Sequence, residues 1–313
     1  MRVTALAGGI GAGKFLRGLV RVVAPGDVTV IVNTGDDITM HGLHVSPDLD
    51  SVTYWLGDVF DRERGWGRRG ETFRATDELR SFDPDQAWFN LGDLDLATHL
   101  FRTNLLAAGK TLSEATAAVA ARFGIGATLL PMSDDPIATR ITIASDGAEL
   151  DLHFQEYWVR RGGRDEVKTI RYEGADRARP APGVLPTIAN ADAVLLCPSN
   201  PVASIGPILA VPGIRHALSA RSSDVVGVSG IVAGAPLAGM ADRLMPAAGA
   251  EVSAAGAAAW YSGLLAAWVV DEADRELIPR IEATGVRAGA TDSIMTDDAK
   301  AEALARFALD MLA

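Results

Sequence analysis

Residues 3–15 read VTALAGGIGAGKF, and KFLRGLVRVV, APGD and VTVIV follow directly. A short continuous apolar run such as Val3–Ala7 suits a strand buried on both faces. The apolar residues of Lys14–Val23 recur at helical spacing, and Val28–Val32 is a second buried strand ending in NTGDD. This β-α-β opening puts a glycine loop at the carboxyl end of the first strand, the edge where open α/β sheets bind ligands. The predicted helix begins near Lys14 and turns its free amides and positive dipole end toward the loop, which favours an anion. Gly8, Gly9, Gly11 and Lys14 are therefore candidate phosphate-binding residues; the alternative is a tight turn that binds nothing.

The loop half-matches two known chemistries. It fits the P-loop pattern from Gly8 to Lys14 but has Phe15 where a magnesium-binding hydroxyl belongs. It starts the dinucleotide fingerprint at Gly9 and Gly11 but has Lys14 in place of the third glycine. No acidic residue ends the second strand to hold a ribose: Asn33 and Thr34 stand there, and Asp36 and Asp37 come later.

Farther along, Asp50–Phe60, Thr72–Arg80, Leu94–Gly109 and Thr111–Gly124 read as helices, the last capped by Thr111 or Ser113. Arg140–Ala144 and Leu150–Phe154 read as strands around the turn SDGAE. Ala193–Cys197 and Val225–Val228 return to buried-strand character, with a helix within Gly206–Leu218 between them. The alternation predicts an α/β fold, a Rossmann-like, mostly parallel sheet flanked by helices. We expect a single domain over residues 1–313, with a helical insertion over approximately 50–130 covering the ligand edge.

A net charge of −11 argues against nucleic acid or an anionic membrane as a general partner. The single Cys197 excludes an internal disulfide and suits a reducing cytoplasm. The N-terminal apolar run is too short for a signal peptide. Val252–Val270, apolar but interrupted by Gly256 and Gly263, reads as a buried amphipathic helix rather than a membrane span.

Four further stretches carry chemistry. In NTGDDITMHGLHVSPDLD, Asp36, Asp37, Asp48 and Asp50 offer the oxygen ligands that magnesium takes, while His41 and His44 lack the partners of a zinc site. Asp48 has two open readings, metal ligand or helix cap. In LGDLDLATHLFRTN, which also holds Asp93, a helix would bring Asp95, Thr98, His99 and Arg102 onto one face, as if lining a cleft. Ser133, Asp134 and Asp135 precede Pro136, where a turn is the plain reading. Ser199, Asn200 and Ser204 follow a buried strand in PSNPVASIG and suit a base or a phosphate.

With these stretches in hand, the chain resembles the 2-phospho-L-lactate transferases of deazaflavin coenzyme F(420) biosynthesis, called CofD in archaea and FbiA in actinobacteria. LAGGIGAGKFLRGL, VNTGDD, HGLHVSPDLDSVTYWLGD, RGWG, LGDLDLATHLFRTN, LLPMSDDP, HFQEYWVR, PSNPVASIGPIL, VPGIR and GMADRLMP carry the resemblance. It implies a cytoplasmic, magnesium-dependent phosphotransferase, as a homodimer. Such an enzyme joins Fo (7,8-didemethyl-8-hydroxy-5-deazariboflavin) to a phospholactyl, phosphoenolpyruvyl or phosphoglyceryl group from a guanosine diphosphate-linked donor, releasing GMP. The family's donor-phosphate loop falls on Gly8, Gly9, Gly11 and Lys14. Its PDLD aspartates, Asp48 and Asp50, are the catalytic candidates and are tied to metal or to the Fo side of the cleft, and Ser199 and Asn200 to the nucleotide. Asn33, Asp36, Asp37, His41, Asp93, Asp95, His99, Ser133 and Asp134 complete the candidate substrate-binding set. One departure is Leu94, where the family has an arginine associated with the Fo site. The alternatives are a non-catalytic nucleotide or deazaflavin binder on the same fold and, more weakly, an NAD-dependent dehydrogenase.

Overall fold

The computed structural model describes every residue except Gln86 and Asp146. Its opening unit forms as the apolar runs predict: β1 (Val3–Ala7), α1 (Gly9–Val22) and β2 (Val28–Val32). Next come a hairpin of β3 (Ile38–Met40) and β4 (Leu43–Val45), then α2 (Pro47–Leu56), α3 (Arg74–Phe82), α4 (Asp93–Ala107) and α5 (Leu112–Arg122). Thr111 caps α5 in a full capping box with Glu114. The chain then returns to the sheet beside β2 as β5 (Thr128–Pro131).

A separate antiparallel sheet follows, with β6 (Ala138–Ser145) paired to both β7 (Ala148–His153) and β8 (Glu166–Glu173). The main sheet resumes through α6 (Val184–Asn190), β9 (Ala193–Leu196), α7 (Gly206–Ala210), α8 (Ile214–Ser219) and β10 (Val225–Val228). A short hairpin, β11 (Ile231–Val232) and β12 (Ala235–Pro236), leads to α9 (Ala241–Ala247) and α10 (Ala254–Trp260). The chain closes with β13 (Ala267–Asp271), α11 (Ile278–Glu282), β14 (Arg287–Thr291) and α12 (Asp298–Asp310).

The main sheet runs β14-β13-β10-β9-β1-β2-β5, with every pairing parallel, so the Rossmann-like α/β expectation holds. The chain winds one way from β1 through β2 to β5, then restarts at β9 on the other side of β1. The order therefore reverses between β1 and β9, and a crevice opens beyond their carboxyl ends. Strand residues divide between the two faces: Leu6, Ile31 and Val194 enter one core, while Ala5, Val30 and Leu195 enter the other with Phe15 and Leu16 of α1. Each large side chain removed from water in this way contributes about 1.5–3 kcal/mol.

Two expectations are corrected here. Residues Val252–Val270 form no single helix. Ser253 caps α10, Tyr261 ends it, and Gly263 turns the chain at φ 77° before it becomes buried strand β13. Among the described residues, no helix is long and apolar enough to cross a membrane. The second correction concerns α1, which starts at Gly9 rather than near Lys14. Lys14 consequently sits more than a turn inside the helix, away from its N-terminus.

α1 packs on α12 so closely that a Cβ on Gly18 would stand 2.2 Å from the carbonyl carbon of Ala301. Backbone cannot yield as a side chain does, so Gly18→Ala should destabilise the fold by about 1–3 kcal/mol despite alanine's better helix propensity. A urea midpoint equal to that of the wild type would contradict this packing.

Candidate active site

The crevice at the strand-order reversal is a cavity of about 690 Å³. Its floor comes from the two loops that part there, Gly8–Gly11 after β1 and Pro198–Ser204 after β9, with Asp36 and Asp48 beside them. The Ser199 hydroxyl ties the loops together, donating to the Gly8 carbonyl at 2.9 Å and accepting from the Gly8 N–H at 3.4 Å. Asn200 uses its side-chain oxygen to cap the next turn, accepting from the N–H groups of Val202 and Ala203. The walls are aromatic. Trp66, Trp88 and Phe89 come from the segment between β2 and β5, and Phe154 and Trp158 from the end of β7 onward.

Among the described residues, Asp36 and Asp48 are the charged members of this lining, and no Lys, Arg or His joins them there. Both are buried. Desolvation pushes the Asp48 carboxyl up from 3.8 to about 7, against the opposing hydrogen bond from Asn33. Burial also raises Asp36 well above its ordinary value, and the neighbouring Asp48 charge raises it further. One oxygen of Asp36, Oδ1, is buried without a hydrogen-bond partner. A helix N-terminus favours anions, and with two buried carboxyl groups beside it a phosphate there would need a cation between ligand and protein. Magnesium usually takes one or two carboxylates plus substrate phosphates, and Asp36 and Asp48 fit that demand. Among the described residues, no cluster of three or more His, Cys, Asp or Glu gathers as a metal cage.

The open choice for Asp48 resolves against a cap. α2 begins at Pro47 with no side-chain cap, and Asp48 instead accepts from Asn33 Nδ2 at 2.9 Å. Its companion Asp50 does not share the site. Two residues along a helix turn a side chain by about 200°, and Asp50 faces α4, where Arg102 grips both its oxygens. His99 lies beside this pair, and burial lowers its pKa to about 4. The stripe Asp95, Thr98, His99 and Arg102 does share one face, but that face packs inside the protein and lines no part of the cleft.

Other candidates also lie elsewhere. Lys14 is carried off by the early start of α1 and is not part of the lining. His41 turns the β3–β4 hairpin in a left-handed conformation, φ 51°. Asp37 is partly buried and accepts from Ser46 and His44. Asp93 accepts from Thr72 and from the N–H groups of Arg74 and Ala75, capping α3. Ser133 donates to the Arg179 carbonyl and accepts from Asp135 N–H, and Asp134 accepts from the N–H and hydroxyl of Ser113 in α5, so both tie the segment to protein. Asn33, wholly buried, bonds protein groups only. Leu94 is 38% exposed on the outer side of α4, away from the lining. Sequence reasoning from residue types missed the aromatic walls. Trp66 stands between Gly65 and Gly67, both at positive φ.

The model of the family described as 2-phospho-L-lactate transferase CofD matches residues 3–308. A protein of Streptomyces griseus named phosphoenolpyruvate transferase is 49% identical over 312 residues, covering 99% of this chain and 98% of its own length. One of the same name from Mycolicibacterium smegmatis is 42% identical over 327 residues, with 99% and 98% covered. A crystal structure of a UPF0052-family protein from Bacillus halodurans superposes with a TM-score of 0.61 at 16% identity, covering 98% of each chain, and shares the fold.

Two measurements follow from this geometry. Because the folded Asp48 carboxyl sits near 7 against 3.8, its contribution to stability is complete below about pH 4 and fades as pH rises through 7. Without divalent cations, Asp48→Asn should therefore melt higher than the wild type at pH 8 by more than it does at pH 5; equal differences would contradict the burial argument. Arg102→Met strands Asp50 as a buried charge and should cost about 3–5 kcal/mol. Adding Asp50→Asn should recover most of that loss in urea unfolding.

Proposed function

The chain belongs to the CofD family of 2-phospho-L-lactate transferases, and on that premise we propose the reaction it performs. It moves a phosphorylated three-carbon acid from a guanosine diphosphate-linked donor to Fo, forming the glutamate-free core of coenzyme F(420). The donor acid is phosphoenolpyruvate, as the names of relatives at 42–49% identity over nearly the whole chain suggest. The observation that carries this reading is the cleft itself. Backbone amides at a helix N-terminus and two buried carboxyl groups with no cationic partner in the lining share one floor, under walls made of aromatic rings.

In this reading the donor's diphosphate lies along Gly8–Gly11, where the amides of Ile10 and Gly11 in the first turn of α1 meet its oxygens; the Gly8 N–H is already held by Ser199 and the Gly9 N–H by Asp48. Asp36 and Asp48 hold magnesium, which when bound neutralises phosphate charge as it develops in the transition state. Ser199 and Asn200 shape the nucleotide side of the floor. The flat deazaflavin stacks among Trp66, Trp88, Phe89 and Trp158, with its ribityl chain reaching toward the floor. The terminal ribityl hydroxyl forms a new bond to the phosphorus bearing the acid, the bond from that phosphorus to GMP breaks, and the hydroxyl proton leaves to solvent. The protein's work is positioning and charge balance, as in phosphoryl transfer generally. Exposed Leu94, standing outside the lining, gives no reason to favour a non-catalytic binder.

Purified protein given Fo, magnesium and competing phosphoenolpyruvyl, phospholactyl and phosphoglyceryl donors should release GMP, and mass spectrometry should find mainly the phosphoenolpyruvyl product. No turnover with any of the three would sink the proposal. Asp48→Ala should lower turnover about 100- to 1,000-fold, the usual loss for one charge-organising group.

A further inference from the structure

Asn33 directly follows β2 and has no exposed surface, so it cannot touch a ligand in the cleft. Its amide is fully engaged with the protein. The side-chain oxygen accepts from Gly35 N–H at 2.8 Å, while Nδ2 donates to Asp48 Oδ2 at 2.9 Å and to the Ala203 carbonyl at 3.2 Å. These contacts fix which way the amide faces: flipped, it would set a carbonyl oxygen against a carboxylate and leave Gly35 N–H opposite an NH₂. One side chain thus joins β2, the first turn of α2 and the loop after β9, three elements that together build the cleft floor.

Asp48 needs such a restraint. Its neighbour Asp36 repels it, and on charge alone the two carboxylates would turn apart. Asn33 secures Oδ2 on the inner side, where a Cβ on Gly8 would come within 2.6 Å of it. Oδ1 lies toward Gly9, at the mouth of the anion site. We propose that Asn33 is a positioning residue that holds Asp48 with Oδ1 presented to a divalent cation shared with Asp36, and that it contacts neither substrate. This rests on the assignment of Asp36 and Asp48 as the metal-holding pair. Groups that orient metal-holding carboxylates typically change metal affinity or activity 10–100-fold when removed.

Asn33→Ser is the informative variant, because a hydroxyl can still accept from Gly35 N–H but is too short to reach Asp48. Asn33→Ala serves in its place if the serine variant does not fold. Binding of Mn²⁺ alone, followed by electron paramagnetic resonance, should weaken about 10-fold or more in the variant. Binding of GDP without metal, and the KM for Fo, should stay within twofold of the wild type while kcat falls. A purely structural role would lower the melting temperature and leave Mn²⁺ affinity alone, and that result overturns the proposal. So does a change in metal-free GDP affinity as large as the change for Mn²⁺, which would make Asn33 a substrate contact. If the wild type binds Mn²⁺ and Asp48→Asn loses it while Asn33→Ser keeps it, only the role of Asn33 fails. If the wild type takes up no Mn²⁺ at all, the metal assignment fails and this inference falls with it.

Discussion

Two carboxylates buried side by side with no cationic side chain among the residues around them are unfavourable on their own. Asp36 and Asp48 are in that situation, and desolvation keeps both inclined to hold protons. The surrounding architecture accounts for how they stay there. Asp36 follows β2, next to the strand where the sheet order reverses, and Asp48 is placed by the first turn of α2. The cost of holding both is met by the packing of the rest of the domain. On the proposed reading, a ligand that brings phosphates and a cation would relieve it, so the site would be organised for its occupied state.

The glycines of the opening loop fit the same logic but differ from a plain reading of their spacing. A phosphate-loop reading gives each glycine to the ligand. In the structure, the space beside Gly8 is filled by the Asp48 carboxylate and Ser204, and that beside Gly11 by the Pro198 carbonyl. These residues are small chiefly so that the loop after β9 and the helix carrying Asp48 can close on β1. Only Gly9, at φ 74°, is demanded by its own backbone conformation. The loop still meets a helix N-terminus, because α1 begins there, and the proposed anion site rests on that; its composition is set first by protein packing.

Much of the fold was legible because parallel strands buried on both faces are written as unbroken apolar runs; β1, β2, β9 and β10 stand where those runs lie. β8 was missed because its outer face alternates with charge, Arg171 and Glu173 meeting Arg140 and Asp151 across the sheet. β13 was hidden by alanines that serve a helix and a strand equally well. Within the site, residue types pointed to the right segments and often to the wrong member. Helical periodicity alone separates Asp48 from Asp50, whereas nothing local tells that Asp93 would cap α3 or that Asp134 would hold α5. The aromatic walls are contributed by segments distant in sequence, and only the folded chain brings Trp66 and Trp158 to one cavity.

α4 shows why such a segment misleads. Its polar residues Asp95, Thr98, His99 and Arg102 are buried, while Leu94, Leu100 and Phe101 are exposed, the reverse of an ordinary surface helix. The inversion follows from what α2 presents. Asp48 must face the cleft, and the residue two places on must then face away from it, into protein. There a carboxylate needs a partner, and Arg102 supplies one with two-pronged geometry, with a further contact to the His44 carbonyl. A buried ion pair adds little net stability over a well-packed apolar pair, but it can be satisfied in only one register of α4 against α2. The stripe that looked like a ligand-binding face is therefore better explained as the fixture that sets the rotation of α2, and with it the direction in which Asp48 points.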